Sequence, residues 1–460
     1  MWYGIADPGG AAMNLARIHL PHPLILLSGC VFLAALLSYV LPAGEFDRHE
    51  DPATGREVVV AGTYHEVEAE PVNLFRAVVA LPRGMAEAAD VIFLVFLIGG
   101  AFTVVDETGT LRRSVSSLVR RLGSGGLLVI PIVSVVFATG GVVENMQEEI
   151  IALVPVLLIL TRRVGFKPIV AVAMSLGAAA VGSAFSPVNP FQVQIAQKLA
   201  EVPLGSGGMF RVVFLAIALA IWIGMTMRYA VRTRVDVQAD AEDVGGTMTR
   251  SDGIILGIVA LTFVIVVWGM TAGGWGFDEL SAAFFIMGVV VGAVGKLGFG
   301  GTAEAYVKGF RSMAYAAILI GFARAIFVVL QDGRIVDTIV HALFTPLEDL
   351  PLLASSFGMV VAQTLIHIPV PSVSGQAVLT MPVLVPLSDL LGLSRQITVL
   401  AYQYGAGLCD LITPTNGALM AILSIAGLRF EDWIKFTIPL YLLLVALGIA
   451  SIALGIAIGL

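Results

Sequence analysis

Two short stretches, far apart in the chain, hold the same chemistry. Ser186-Pro187-Val188-Asn189-Pro190 and Thr413-Pro414-Thr415-Asn416-Gly417 each interrupt a run of apolar, helix-forming sequence. Proline removes a backbone donor and clashes with the preceding turn, so the helix has to open there. Inside a bilayer the carbonyls and amides thus bared need a polar partner or a filled cavity. Serine, threonine and asparagine add oxygen ligands and amide donors. Such a site can coordinate Na⁺ through Ser186, Asn189, Thr413 and Asn416, or hold a carboxylate at a half-helix N-terminus. One motif of this kind is equally a proline kink whose bared groups meet a neighbouring hydroxyl. Two in register favour a binding site.

A second pair of stretches places polar groups in the middle of long apolar runs. They are Glu144-Asn145-Met146-Gln147-Glu148-Glu149 and Ser372-Val373-Ser374-Gly375-Gln376. Carboxylates near the middle of a bilayer are costly unless paired, protonated or facing water. Glu144, Glu148 and Glu149 therefore suit a cation or proton site, or an anchor for a substrate ammonium; the plainer alternative is a tip that reaches the aqueous rim. Arg324 is a base in the middle of an apolar span, placed to pair with a glutamate of the first tip or to bind a substrate carboxylate. Asp410, just ahead of Thr413, is a candidate proton-coupling carboxylate or a local cap. His367 reads as a structural residue near a membrane edge. Gln403 and Tyr402 share the span of Asp410, on a face the pattern leaves open. There is no G-x-x-x-x-G-K-[ST] loop, no H-E-x-x-H and no Cys/His cluster, so ATP-driven transport and metalloprotease chemistry have no support.

The elements that must position these groups are membrane helices. Of 460 residues 58% are hydrophobic and only 13% charged, with a mean hydropathy of +0.93, against about a quarter charged in soluble domains. Candidate spans are 22–43, 88–107, 167–200, 209–230, 252–270, 280–296, 313–331, 396–427 and 432–458. The first reads as a retained anchor. The stretches 126–162 and 352–388 are too long for one span and suit re-entrant helical hairpins. The net charge of -7 sits largely in the loop Glu45 to Glu70, with eight acidic residues against Arg48 and Arg56, and does not indicate a nucleic-acid partner. With the N-terminus in the cytoplasm, 17 of the 26 basic residues fall inside. The first hairpin then enters from inside, the second from outside, and the C-terminus is external.

Segments of the two halves align without a gap at an offset of 227, including Pro155 with Pro382, Gly165 with Gly392, Pro187 with Pro414 and Asn189 with Asn416. The expected organisation is an N-terminal anchor and acidic loop (1–72), a first inverted repeat (73–231), a cytoplasmic linker with two scaffold helices (232–303) and a second inverted repeat (304–460).

The run Ser374-Gly375-Gln376-Ala377-Val378-Leu379-Thr380-Met381-Pro382, followed by Arg395-Gln396-Ile397-Thr398-Val399-Leu400-Ala401, resembles the YfcC family of bacterial membrane proteins. That family stands with the DcuC-type C4-dicarboxylate carriers and the arginine/ornithine antiporters in the ion transporter superfamily. The resemblance implies an all-α polytopic fold with inverted repeats, two re-entrant hairpins and two broken helices. It also implies a homodimer with elevator-like movement. The first tip departs from that pattern: Asn145 and Gln147 stand where a Gly-rich turn precedes the paired acids. Together these readings predict an ion-coupled secondary transporter in the bacterial inner membrane, not an enzyme. The cargo is a small carboxylate-bearing metabolite, an amino acid ahead of a C4-dicarboxylate, and Na⁺ or H⁺ is the coupling ion. A cation antiporter without organic substrate is the alternative.

Overall fold

The computed structural model describes residues 23–51, 56–60, 62–111, 113–114, 117, 123–144, 146–235, 248–272, 275–347 and 350–460. In hydrocarbon every backbone N–H and C=O must bond within its own segment, and the apolar runs are accordingly helices. Among the described residues seven are long and apolar enough to cross a membrane: Ala89–Glu107, Gly126–Val143, Gly208–Arg232, Phe277–Val294, Gly298–Asp332, Val373–Leu390 and Phe430–Ile458. The chain is a multi-pass, all-α membrane protein. The span expected at 313–331 is the second half of a 35-residue helix, Gly298–Asp332.

Each expected hairpin stretch is a pair of helices. The first pair is Val129–Glu144 and Glu148–Val164. The second is Leu352–His367 and Val373–Leu390. Both proline motifs break a helix. Pro168–Ala184 stops before Ser186, and helical turns resume at Pro190. Arg395–Cys409 stops before Thr413, and Gly417–Ile425 follows. The starting residues Pro168 and Arg395, and again Pro190 and Gly417, stand 227 positions apart.

Glycine lets these helices touch. In lipid, apolar side chains gain little by meeting one another, so close backbone approach carries helix association. Val129–Glu144 packs on Ala178–Ala184, where a Cβ on Gly141 would collide with the Ala179 carbonyl. Ala89–Glu107 packs along Gly298–Asp332, where a Cβ on Gly309 would lie 2.5 Å from the Gly100 Cα.

Two features were not legible as elements. The acidic loop folds into two short antiparallel ladders, Gly44–Glu45 with His65–Glu66 and Arg48–Asp51 with Arg56–Val59. A short helix, Val336–Phe344, sits beneath it. Its Asp337 is buried, accepts from Phe46 N at 2.9 Å and pairs with Arg48 at 2.8 Å. Tyr64 stacks on His341 with ring centroids 4.1 Å apart.

Candidate binding site

At the first break the side chains serve the opened backbone. Ser186 Oγ accepts from Val188 N and Asn189 N at 3.0 and 2.8 Å and donates to the Val142 carbonyl at 2.8 Å. Asn189 Oδ1 accepts from Phe191 N and Gln192 N, capping the second half-helix, while its Nδ2 donates to the Gly141 carbonyl at 2.8 Å. The motif thereby ties the broken helix to the first arm of the first hairpin. Pro187 lies beside Gly208. Behind it, Gln403 donates to the Ser186 carbonyl at 2.8 Å and accepts from Arg211 Nε at 3.0 Å. Arg211 is buried and its other donors reach Ser206 O and Gln396 Oε1. Among the described residues its guanidinium meets these neutral oxygens and no carboxylate.

The second break repeats the frame with different chemistry. Asn416 Oδ1 caps Leu419 N at 3.0 Å. Thr415 donates to the Ile368 carbonyl and shares a 2.8 Å bond with Thr413. Pro414 stands between those two threonines. Asn416 Nδ2 instead donates to Gln147 Oε1 and Asp410 Oδ1, both at 2.8 Å, and Gln147 Nε2 donates to Asp410 Oδ2 at 2.8 Å. A residue from the first tip thus closes a triangle on the second break. His367 reaches Asp410 Oδ1 with Nε2 at 2.9 Å and Gln376 Oε1 with Nδ1 at 2.7 Å. Both amide oxygens proposed as Na⁺ ligands therefore face helix N–H groups, and an ion there would have to share them.

A cavity of about 940 Å³ opens onto this triangle. Gln147, Asp410, Thr415 and Asn416 of the triangle and its break line it, together with Ser372, Ser374 and Gly375 of the second tip and the charged Glu87, Asp90 and Arg324. Glu45, Arg48 and Arg334 stand towards the acidic loop. The second tip is shaped by Ser372, whose Oγ accepts from Gly375 N at 3.2 Å and caps the helix that follows.

Several expectations need correcting. Arg324 pairs with Glu87 at 3.0 Å and covers Phe327, a partner that the sequence did not point to. His367 is fully buried and bonded to both Asp410 and Gln376, so it is not a lone histidine. Gln376 is also fully buried and turns inward to His367 and Gln363, away from the cavity. Ser186 and Asn189 do not line the cavity either. Asn145 and the side chains of Glu144, Glu148 and Glu149 lie outside the described residues.

The model of the C4-dicarboxylate anaerobic carrier family, DcuC, matches residues 20–458. The chain belongs to the DcuC family. It is 31% identical over 473 aligned positions to an Escherichia coli K12 protein named "Putative basic amino acid antiporter YfcC", covering 91% of this chain and 93% of that one. It is 29% identical to an uncharacterized protein of Haemophilus influenzae, covering 85% and 80%. Among solved structures, the Alcanivorax borkumensis YdaH transporter aligns over 95% of this chain and 99% of its own, at 19% identity and a TM-score of 0.45. The Neisseria gonorrhoeae efflux pump MtrF aligns over 95% and 96%, at 16% and 0.44. A DcuC-family chain is a membrane carrier.

Proposed function

We propose that this protein is an ion-coupled secondary transporter that exchanges small carboxylate-bearing metabolites across the bacterial cytoplasmic membrane, amino acids ahead of C4-dicarboxylates. The observation that carries the reading is the cavity of about 940 Å³ with both signs of charge on its wall. It falls within the range of small-molecule sites, about 300–1,000 Å³. Arg324 offers a guanidinium to a carboxylate, and Glu87 and Asp90 offer oxygens to an ammonium. A dianion would meet Glu87, Asp90 and Asp410 beside Arg324, which is already paired with Glu87. The name of the E. coli relative favours a basic amino acid; the family's description favours a dicarboxylate. A cation antiporter without organic substrate needs only the buried Asp410, and leaves the size of the cavity without a purpose.

The frame of this reading is an inverted pair of repeats, 73–231 and 304–460, with opposed hairpins, the N-terminus inside and two copies per assembly. The shared 227 offset of the broken helices supports the repeats, and the distribution of arginine and lysine supports the orientation. The test is thermal stabilisation of the purified protein by L-arginine, L-ornithine, L-aspartate, succinate and fumarate, with and without Na⁺. The account predicts that an amino acid raises Tm and that Arg324→Gln abolishes the rise. Stabilisation by succinate or fumarate alone would move the cargo to dicarboxylates. No stabilisation by any of them would sink the reading.

A further inference from the structure

We infer that His367 and Asp410 form a single proton-binding site, whose proton keeps Asp410 in the triangle with Gln147 and Asn416 and so tightens the contact between the first tip and the second broken helix, and that H⁺ is the coupling ion. The coupling rests on the transport reading; the proton site does not.

The argument is a count of donors and acceptors, anchored on backbone groups whose roles cannot change. Gln376 Nε2 lies 2.7 Å from the carbonyl of Gln363, which can only accept, and also reaches Gln363 Oε1. Turning the Gln376 amide over would set oxygen against both of these oxygens. Its Oε1 therefore faces His367 Nδ1 at 2.7 Å, and Nδ1 must carry hydrogen. On the other side, Leu419 N can only donate, which fixes Asn416 Oδ1 towards it at 3.0 Å. Asn416 Nδ2 then donates to Gln147 Oε1 and Asp410 Oδ1, and Gln147 Nε2 to Asp410 Oδ2. Every hydrogen in the network is thereby assigned except one.

That one lies between His367 Nε2 and Asp410 Oδ1, 2.9 Å apart. With a proton there the contact is a bond, either imidazolium to carboxylate or carboxylic acid to neutral imidazole. Without it, two lone pairs face each other at a site where His367 is fully buried and Asp410 nearly so. Unsatisfied buried acceptors in contact repel at low dielectric. Proton loss therefore drives Asp410 off His367 and out towards the cavity that it lines. Asp410 also holds Gln147 and Asn416, so its departure removes two of the three bonds of the triangle and leaves the first tip on the second break by the single bond from Asn416 Nδ2 to Gln147 Oε1.

Among the described residues, the other groups around the pair are held elsewhere. Cys409 points its thiol at the Thr364 carbonyl, and Tyr441 also meets Thr364. Arg324 and Asp337 share the cavity but are held by Glu87 and Arg48. Glu148 and Glu149 follow Gln147 in the chain, with side chains outside the described residues.

The test uses ¹⁵N-histidine-labelled full-length protein in lipid, without substrate. The six histidines give six sets of ring-nitrogen signals, and the set lost in His367→Gln is assigned to His367. The expected result is an Nδ1 that stays protonated at every pH and an Nε2 that titrates, with the titration shifted or lost in Asp410→Asn. A titrating Nδ1, or an Nε2 indifferent to both pH and Asp410→Asn, would overturn the site. In proteoliposomes a pH gradient alone should drive L-arginine accumulation several-fold, and Asp410→Asn should remove that drive. Accumulation driven by Na⁺ and indifferent to the pH gradient would overturn the coupling. Failure to transport arginine, succinate or any panel compound alongside a normal Nε2 titration would refute the transport reading and leave the proton site standing.

Discussion

Asn189 is the sharpest place to perturb the frame, because one fully buried side chain does two separable things. Its oxygen caps Phe191 N and Gln192 N at 3.0 and 2.9 Å, and its amide donates to the Gly141 carbonyl at 2.8 Å. In Asn189→Ala the lost cap costs about 1 kcal/mol. Taking the side-chain donor from a buried carbonyl adds about 1–3 kcal/mol. A total near 3 kcal/mol corresponds to roughly a hundredfold in the local opening equilibrium. Asn189→Asp separates the two roles: it keeps an acceptor for the two amides and sets its other oxygen against Gly141 O. Hydrogen exchange in nanodiscs reads both. In Asn189→Ala the amides of Phe191 and Gln192 should lose about two orders of magnitude of protection, and the arm Val129–Glu144 should loosen with them. In Asn189→Asp those two amides should stay protected while the arm loosens. Unchanged protection in the alanine variant, or identical patterns in the two, would refute the reasoning.

Asp337→Ala removes the acceptor that holds Phe46 N and Arg48. Bonds to charged groups are worth about 1.5–3 kcal/mol; because Arg48 is partly exposed, the loss should be near the lower figure, read as faster proteolysis within 44–66 and little change elsewhere. Gly309→Ala puts a methyl into the Gly100 backbone, and overpacking of this kind costs about 1–3 kcal/mol; the melting temperature in detergent should fall, whereas Gly253→Ala, which meets open space, should leave it alone.

The breaks were legible because proline acts on its own turn: Pro187 and Pro414 open their helices whatever surrounds them. The spans were legible because the bilayer demands apolar length. The chemistry of the second break was only half legible. Asp410 and Asn416 lie close together in sequence, but Gln147 reaches them from 263 positions away, and nothing in the local pattern around a lone glutamine at a hairpin tip announces that partner. His367 was read as a lone histidine because its partners Gln376 and Asp410 belong to two other helices. Arg211, inside the span 209–230, carries no sequence signal, since only the fold shows that it turns inward to Gln403. Arg324 stands out as a base within an apolar span, but its pairing with Glu87, 237 positions earlier, is visible only in the fold. The ladders of the acidic loop carry charged residues on short strands and show no alternation.

Counterflow in proteoliposomes tests the central claim most directly. Vesicles loaded with unlabelled L-arginine should take up labelled L-arginine from outside, faster than vesicles loaded with buffer, and excess L-ornithine outside should compete. Uptake of labelled succinate in place of arginine would contradict the amino-acid preference. If neither amino acids nor dicarboxylates exchange under any Na⁺ or H⁺ gradient, the account of this protein as a metabolite exchanger is wrong.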